Sequence, residues 1–105
     1  MIIEPNNEGY EYKLENFDNK ETFQSIFFIK KEPITEGSSE MKVVQDGTTN
    51  EELLEVLIHR LGVLSSKFPS RENSIAITKI QEALMWLNKR TTDRLKRGVE
   101  DKHQA

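Results

Sequence analysis

Residues 48–70, which read TTNEELLEVLIHRLGVLSSKFPS, carry the strongest structural pattern in the chain. Two overlapping capping boxes, residues 48–51 and 49–52, precede an apolar run and indicate the start of a helix. The apolar residues then recur at spacings of three and four: Leu53, Leu54, Leu57, Ile58, Leu61 and Leu64. This spacing forms an apolar stripe along one helical face, so we predict a first helix from about residue 50 to about residue 66.

A second helix follows after a short connection. Pro69 ends the first helix, because the residue before a proline avoids the helical conformation, and Ser70 is a preferred N-cap residue. The second apolar stripe consists of Ile77, Ile80, Ala83, Leu84 and Leu87. We predict a helix that reaches about residue 95, with Gly98 as its stop and residues 99–105 as a frayed tail. The short connection makes the two helices an antiparallel hairpin.

The N-terminal part carries strand patterns. Residues 10–14 alternate aromatic and charged side chains, and residues 22–30 are dense in aromatic and β-branched side chains. Residues 41–45 form a third short run, and Pro33 and the Gly-Ser-rich residues that follow it predict a loop between the second and third runs. We therefore expect an antiparallel meander of about three strands.

Together these patterns predict an α+β fold, in which a small N-terminal antiparallel sheet packs on a C-terminal antiparallel helical hairpin. A chain of 105 residues has the length of one domain, so residues 1–105 are expected to form a single domain. Within it we assign the sheet to residues 1–46 and the hairpin to residues 47–98.

Composition excludes several classes of protein. The chain has no cysteine, so disulfide frameworks, zinc ribbons and thiol nucleophiles are excluded, and its two histidines, His59 and His103, argue against a metal site. No cofactor is predicted. No apolar run is long enough to span a membrane, and the segment after Met1 has no signal-peptide pattern, so a cytoplasmic protein is expected.

Charge is distributed unevenly along the chain. Residues 1–58 hold 13 acidic and 5 basic side chains, a net charge of −8, whereas residues 59–105 hold 5 acidic and 10 basic ones, a net charge of +5. The overall charge of −3 argues against a general nucleic-acid-binding protein. A local positive face, however, suits a small anionic ligand.

The end of the second helix carries the clearest binding pattern. Trp86, Arg90, Arg94 and Arg97 recur at i, i+4, i+8 and i+11, which predicts one stripe along the helix. Guanidinium groups bind phosphates, and an indole offers a flat surface to a base, so the stripe suits a nucleotide-like anion. The alternative is that these are ordinary cations near a helix C-terminus and that Trp86 packs in the hairpin. No catalytic constellation and no phosphate-binding glycine loop appear, so an enzyme is not predicted.

A second polar cluster, Arg71-Glu72-Asn73, occupies the first turn of the same helix, near backbone amides that attract anions. The alternative here is a helix cap with solvated charges. Asn73 and Arg90 are 17 residues apart, or about 25 Å along a helix, so one small ligand cannot contact both in one chain. Two hairpins related antiparallel by a two-fold axis would bring Asn73 of one to Arg90 of the other, in two equal pockets.

Long stretches of the chain resemble the hairpin domain of phage counter-defence proteins. They are DGTTNEELLEVLIHRL at 46–61, KFPSRENSIAITK at 67–79, EALMWL at 82–87, KRTTDR at 89–94 and RGVE at 97–100. Two relatives share this hairpin, the anti-Thoeris cyclic ADP-ribose sponges and the anti-CBASS cyclic-nucleotide sponges. The sheet-forming segment FQSIFFI at 23–29 is similar to the anti-Thoeris branch.

The resemblance implies sequestration without catalysis. Thoeris systems of the host make glycocyclic ADP-ribose, which activates a killing effector, and members of the family bind this signal tightly without degrading it. They form homodimers with pockets at the subunit interface, and some form hexamers, as trimers of dimers, that also hold cyclic di- or trinucleotides. The resemblance therefore implies a small-molecule signal as partner, no nucleic-acid polymer and no membrane, and action in the cytoplasm of the infected bacterial host.

The resemblance also assigns residues. It implies that Asn73 and Arg90 lie at the ADP-ribose-like pocket, and that Val63 stands where the family often has a phenylalanine that stacks on a base. Arg71 and the turn that contains Thr48 are the candidates for a second site between dimers. His59 stands where the family leads us to expect an acidic residue.

With Trp86 and Arg94 from the basic stripe, these residues complete the predicted ligand-binding set. Two alternatives remain open from the sequence, a small nucleic-acid-binding module and a protein-interaction module.

Overall fold

The computed structural model describes residues 1–97, in which four strands precede two helices. The elements are β1 (Glu11–Glu15), β2 (Phe23–Phe27), β3 (Lys30–Pro33), β4 (Met41–Gln45), α1 (Asn50–Lys67) and α2 (Arg71–Lys96). The predicted α+β class, with strands before a helical hairpin, is confirmed. The predicted stop at Gly98 and the tail at 99–105 lie outside the described residues.

The chain divides into two compact units, Met1–Thr49 and the part that begins at Asn50. The boundary lies three residues after the one that the sequence predicted between sheet and hairpin. That residues 1–105 form one domain stays a prediction. Neither helix among residues 1–97 combines the length and the apolar character needed to cross a membrane.

The prediction of a single three-stranded meander is wrong, because the four strands form two separate antiparallel ladders. β1 pairs with β2, and β3 pairs with β4. The backbone N–H groups change partner after Phe28: the N–H of Phe28 donates to the carbonyl of Tyr10 at 2.8 Å, whereas the N–H of Ile29 donates to the carbonyl of Thr48 at 2.9 Å. The apolar run at 22–30 therefore ends one ladder and begins the next.

Pro33 lies in a strand and not in the predicted loop. It is the last residue of β3, and it pairs with Met41, the first residue of β4. A proline has no N–H to give to a ladder, and a strand end is a position where this loss is tolerated. The loop of this hairpin therefore begins after Pro33.

A close backbone approach joins the two ladders within the N-terminal unit. The side-chain amide of Gln45 donates to the carbonyls of Tyr10 at 3.2 Å and Phe28 at 3.1 Å, and the N–H of Thr48 donates to the carbonyl of Phe27 at 2.8 Å. At Gly47 a Cβ would collide with the carbonyl oxygen of Phe27 and lie 2.7 Å from its carbonyl carbon. Glycine is required there because no side chain fits this approach.

The two predicted helices are confirmed almost to the residue. Ser70 is the N-cap of α2, with extended backbone angles, and its Oγ accepts a hydrogen bond from the N–H of Asn73 at 3.0 Å. The two helices pack against each other, which makes the predicted hairpin. The half-buried residues of α2 recur at helical spacing: Asn73, Ala76, Ile77, Ile80, Leu84, Leu87, Thr91, Asp93 and Arg94.

The hairpin leaves much apolar surface exposed. Between residues 50 and 97 no side chain is fully buried. The exposed large apolar residues are Val56, Leu57, Val63, Phe68, Ile75, Met85, Trp86 and Leu95. Two helices bury only the faces that they turn toward each other, and apolar surface left elsewhere is typical of an interaction surface.

Candidate functional site

The C-terminal part of α2 carries a cavity of about 240 Å³, which we call the α2 cavity. Its lining residues are Trp86, Lys89, Arg90, Asp93 and Arg97. They follow one another at spacings of three, one, three and four residues, so they share one side of the helix. Three cations and one carboxylate give the cavity a positive charge, and the indole of Trp86 is 58% exposed beside them.

An ion pair lies within the α2 cavity. The ammonium group of Lys89 donates a hydrogen bond to Oδ2 of Asp93 at 2.9 Å, one helical turn away. This hydrogen bond, with smaller contributions from the charges of Lys89, Lys96 and Arg97, holds the pKa of Asp93 below its ordinary value. The carboxylate is therefore ionised at neutral pH, and Arg90 and Arg97 supply the remaining two positive charges.

The structure brings together most of the predicted basic stripe. Trp86, Arg90 and Arg97 line the α2 cavity, whereas Arg94 does not. Arg94 is half-buried and follows Leu87 by seven residues, or nearly two full turns, so both lie on the half-buried face of α2. Residues eight positions apart on an α-helix point in different directions around its axis, so Arg94 lies away from the face that Trp86, Arg90 and Arg97 share.

The predicted cluster at the start of α2 lies at the other end of the same helix. Arg71 is exposed, and Asn73 is half-buried. The N–H of Asn73 is already bound by the Ser70 hydroxyl, so the cap occupies one of the backbone amides that would attract an anion. Asn73 does not line the α2 cavity of its own chain.

Val63 and His59 lie together on α1, in a groove of about 590 Å³ that we call the α1 groove. Its lining residues are Glu52, Glu55, Val56, His59, Arg60, Val63, Leu64 and Lys67. Val63 is 41% exposed, but its aliphatic side chain has no aromatic face to place against a base.

Thr48 belongs to the N-terminal unit, where its backbone pairs with two neighbours. Its N–H donates to Phe27 and its carbonyl accepts from Ile29. In the same turn Oδ1 of Asp46 accepts a hydrogen bond from the N–H of Gly47 at 2.9 Å. These contacts give the turn a structural role, and its part in a second ligand site stays a prediction.

Sequence reasoning left Lys89 and Asp93 out of the predicted binding set. Both line the α2 cavity, and they form an ion pair with each other inside it. The signal was present as a basic and an acidic residue four positions apart, in the run KRTTDR at 89–94. The same spacing occurs on many solvated helices, so it does not by itself indicate a site.

Comparison with known proteins identifies the family. The sequence model of the family described as Acb2/Tad1, hairpin domain, matches residues 30–92, more than half of the chain. The chain belongs to the Acb2/Tad1 hairpin-domain family. The matched residues include β3, β4, α1 and α2 as far as Thr92. Of the residues that line the α2 cavity, Asp93 and Arg97 lie beyond the end of the match.

The chain is also similar to Thoeris anti-defense 1 of Bacillus phage SBSphiJ7. This relative is 48% identical over 73 residues, which are 69% of this chain and 47% of the relative. The chain thus spans about half the length of the curated relative that it matches. The resemblance to the anti-Thoeris sponge family, which the sequence motifs indicated, is confirmed.

Proposed function

We propose that the protein is a phage anti-defence protein that binds a cyclic nucleotide-type signal of the host and sequesters it without cleaving it. In this role it acts in the cytoplasm of the infected bacterium and prevents activation of a Thoeris effector. Membership of the Acb2/Tad1 hairpin-domain family and the name of the Bacillus phage relative support the anti-defence role. The observation that carries the proposal is the cationic α2 cavity with its exposed indole.

The chemistry of the α2 cavity suits a doubly anionic nucleotide such as glycocyclic ADP-ribose. The guanidinium groups of Arg90 and Arg97 line the cavity, and each can donate two parallel, short, charge-assisted hydrogen bonds to the oxygens of one phosphate. The indole of Trp86 offers the flat surface against which an adenine stacks. Trp86 in this way supplies the aromatic contact that the aliphatic Val63 cannot make.

The size of the α2 cavity supports a pocket that two chains share. Its volume of about 240 Å³ lies below the range of roughly 300–1,000 Å³ that small-molecule sites occupy, so one chain encloses only part of a dinucleotide-sized ligand. In an antiparallel homodimer of hairpins, Asn73 of one chain completes the pocket at Arg90 of the other. Exposed apolar residues such as Leu57, Ile75 and Met85 provide surface for this association. Further assembly into a hexamer, which would create sites for cyclic oligonucleotides at Arg71 and Thr48, is compatible with this dimer.

The groups that line the α2 cavity support binding and not cleavage. Asp93 is the one carboxylate among the lining residues, and its hydrogen bond to Lys89 stabilises the ionised form. A general base needs access to the proton that it removes, and a nucleophile needs an adjacent base. The lining residues offer cations and an aromatic face, which hold a ligand in place.

Calorimetric titration with glycocyclic ADP-ribose tests the proposal. We expect tight binding by the wild-type chain, and release of the intact signal after heat denaturation of the complex. Arg90→Ala is expected to weaken binding roughly 10- to 100-fold, because it removes charge-assisted hydrogen bonds to phosphate. Lys20→Ala, which removes one positive charge from the exposed β1–β2 loop, is the matched control and is expected to bind as wild type does.

Two results would contradict this function. Recovery of a cleaved product would indicate an enzyme, and unchanged binding by Arg90→Ala would exclude the α2 cavity as the site. A binding site for nucleic-acid polymers would show an affinity that falls steeply with salt and rises with polymer length. We expect neither dependence to be strong for a ligand enclosed in a pocket.

A further inference from the structure

We infer that Asp93 is the selectivity residue of the α2 cavity: its carboxylate accepts hydrogen bonds from the sugar hydroxyl or amino groups of a nucleotide, and it repels ligands that consist of phosphate alone. This inference rests on the proposed function and deepens it, because it explains how the same site would bind a nucleotide signal in preference to a simple polyphosphate.

The position of Asp93 is the first observation. Its side chain lies among the cations of the α2 cavity and is 45% exposed, so a ligand in the cavity reaches it. Oδ2 accepts the hydrogen bond from Lys89, and no hydrogen bond to Oδ1 is found within residues 1–97. The second carboxylate oxygen is therefore available to a donor on the ligand.

The local preferences of the helix are the second observation. Asp93 lies in the last turn of α2, where the helix dipole favours cations and disfavours a carboxylate. Its partner Lys89 precedes it by four residues, and this order of an ion pair is less favourable along a helix than the reverse order. A residue that opposes two local preferences is typical of a functional position, where such preferences are most often overridden.

The chemistry of the two ligand classes is the third step. Pyrophosphate carries a high negative charge and has no ribose hydroxyl or amino group, so a carboxylate within the cavity weakens its binding. A cyclic ADP-ribose-type ligand presents phosphates together with ribose hydroxyls and an exocyclic amine, which are hydrogen-bond donors. Cations and one carboxylate in the same cavity accordingly favour the second class over the first.

Asp93→Asn tests the inference, because it removes the negative charge with little change in size. We would measure binding of glycocyclic ADP-ribose and of inorganic pyrophosphate by calorimetry at one ionic strength and without divalent cations. The variant is expected to bind pyrophosphate about threefold more tightly, because one repulsive charge is gone. It is expected to bind the cyclic signal at least about threefold more weakly, because a hydrogen bond to a charged acceptor becomes one to a neutral acceptor.

Two control variants separate a direct contact from a general effect of charge. Glu82→Gln removes the same charge from an exposed position of α2 outside the cavity, and it is expected to leave the ratio of the two affinities unchanged. Lys89→Gln removes a cation from the cavity, so it is expected to lower the affinity for both ligands. Opposite changes for the two ligands are thus specific to Asp93.

The outcomes distinguish this inference from the proposed function. If Asp93→Asn keeps the wild-type ratio of affinities, or if Glu82→Gln alters the ratio equally, the inference is overturned and the proposed function stands. If the wild-type chain binds neither ligand, both are overturned. Affinities that change in opposite directions in Asp93→Asn alone support the inference.

Discussion

The two units of the chain differ in the kind of internal contact that stabilises each of them. The N-terminal unit, Met1–Thr49, depends on specific atoms: the Gln45 amide joins two ladders, and Gly47 permits a close approach of backbones. The hairpin depends on a repeated pattern, in which half-buried residues recur along two long helices. A single substitution at one of these contacts is therefore expected to destabilise the N-terminal unit strongly. The hairpin is expected to tolerate most single substitutions, and its exposed helical faces remain available for binding.

Charge separates the same two units. Residues 1–49 hold ten acidic and five basic side chains, a net charge of −5, and residues 50–97 hold six acidic and nine basic ones, a net charge of +3. An anionic ligand is therefore attracted to the hairpin and repelled by the N-terminal unit. This contrast agrees with the position of the α2 cavity on the hairpin.

The largest effect is expected from an alanine at Gly47, compared with one at Gly62. Gly47→Ala would place a methyl group against the carbonyl of Phe27, and backbone atoms cannot move aside as a flexible side chain does. We expect a loss of about 3 kcal/mol in the free energy of unfolding. Gly62 lies in α1 with open space around its Cβ position, so Gly62→Ala is expected to raise stability by about 0.5–1 kcal/mol.

Urea denaturation of both variants checks this difference between the units. Equal losses of stability at the two glycines would contradict it. A loss at Gly62 alone, dependent on protein concentration, would instead indicate that a second chain packs closely on α1.

An intermediate effect is expected when the exposed aromatic residues of the two units are compared. Trp86 lies in the α2 cavity, and Phe17 lies in the β1–β2 loop with 94% of its surface exposed. Trp86→Ala is expected to weaken binding of glycocyclic ADP-ribose about tenfold, because stacking on a base contributes about 1–3 kcal/mol. Phe17→Ala, measured by the same calorimetric titration, is expected to have no effect on binding, and an equal loss in both variants would exclude a specific role for Trp86.

How much could be predicted from the sequence also differs between the units. Both helices were predicted to within one or two residues, because apolar periodicity, the Ser70 cap and Pro69 all act locally. The strand pairing could not be predicted, since the exchange of partners after Phe28 depends on Thr48, 20 residues further along the chain. Periodicity reports which face of a segment is apolar, but it carries no information about which strand pairs with it.

The candidate site was partly predictable for the same reason. The spacing predicted that Trp86, Arg90 and Arg97 share one face of α2, and they line one cavity, whereas Arg94 lies on the half-buried face because an i+8 step is only approximately in phase. That these residues bind a ligand stays a prediction. Only the structure shows that Lys89 and Asp93 line the same cavity as these residues. Contacts from a second chain, such as the proposed one between Asn73 and Arg90, are not encoded in the periodicity of one chain.

The smallest effect concerns pH. The hydrogen bond from Lys89 lowers the pKa of Asp93 in the folded chain, so this pair stabilises the fold at and above the pKa of an unfolded aspartate, about 3.9. The contribution is lost as the pH falls through the lower pKa of the folded state. The difference in unfolding free energy between wild type and Asp93→Asn is therefore expected to be constant from pH 7 to pH 5 and to shrink below about pH 4.

Urea titrations of both proteins at a series of pH values measure this difference. A difference that stays the same down to pH 2 would show that Lys89 does not stabilise the ionised form of Asp93. Because the pair lies at the surface, high salt is expected to reduce the pH-dependent part.

Native mass spectrometry of the chain mixed with glycocyclic ADP-ribose measures subunit number, ligand number and ligand mass together. Sequestration at a pocket shared between two hairpins predicts an assembly of paired chains with two unmodified signal molecules for each pair. A single chain that holds the ligand alone, or a bound molecule with the mass of a cleavage product, would contradict it.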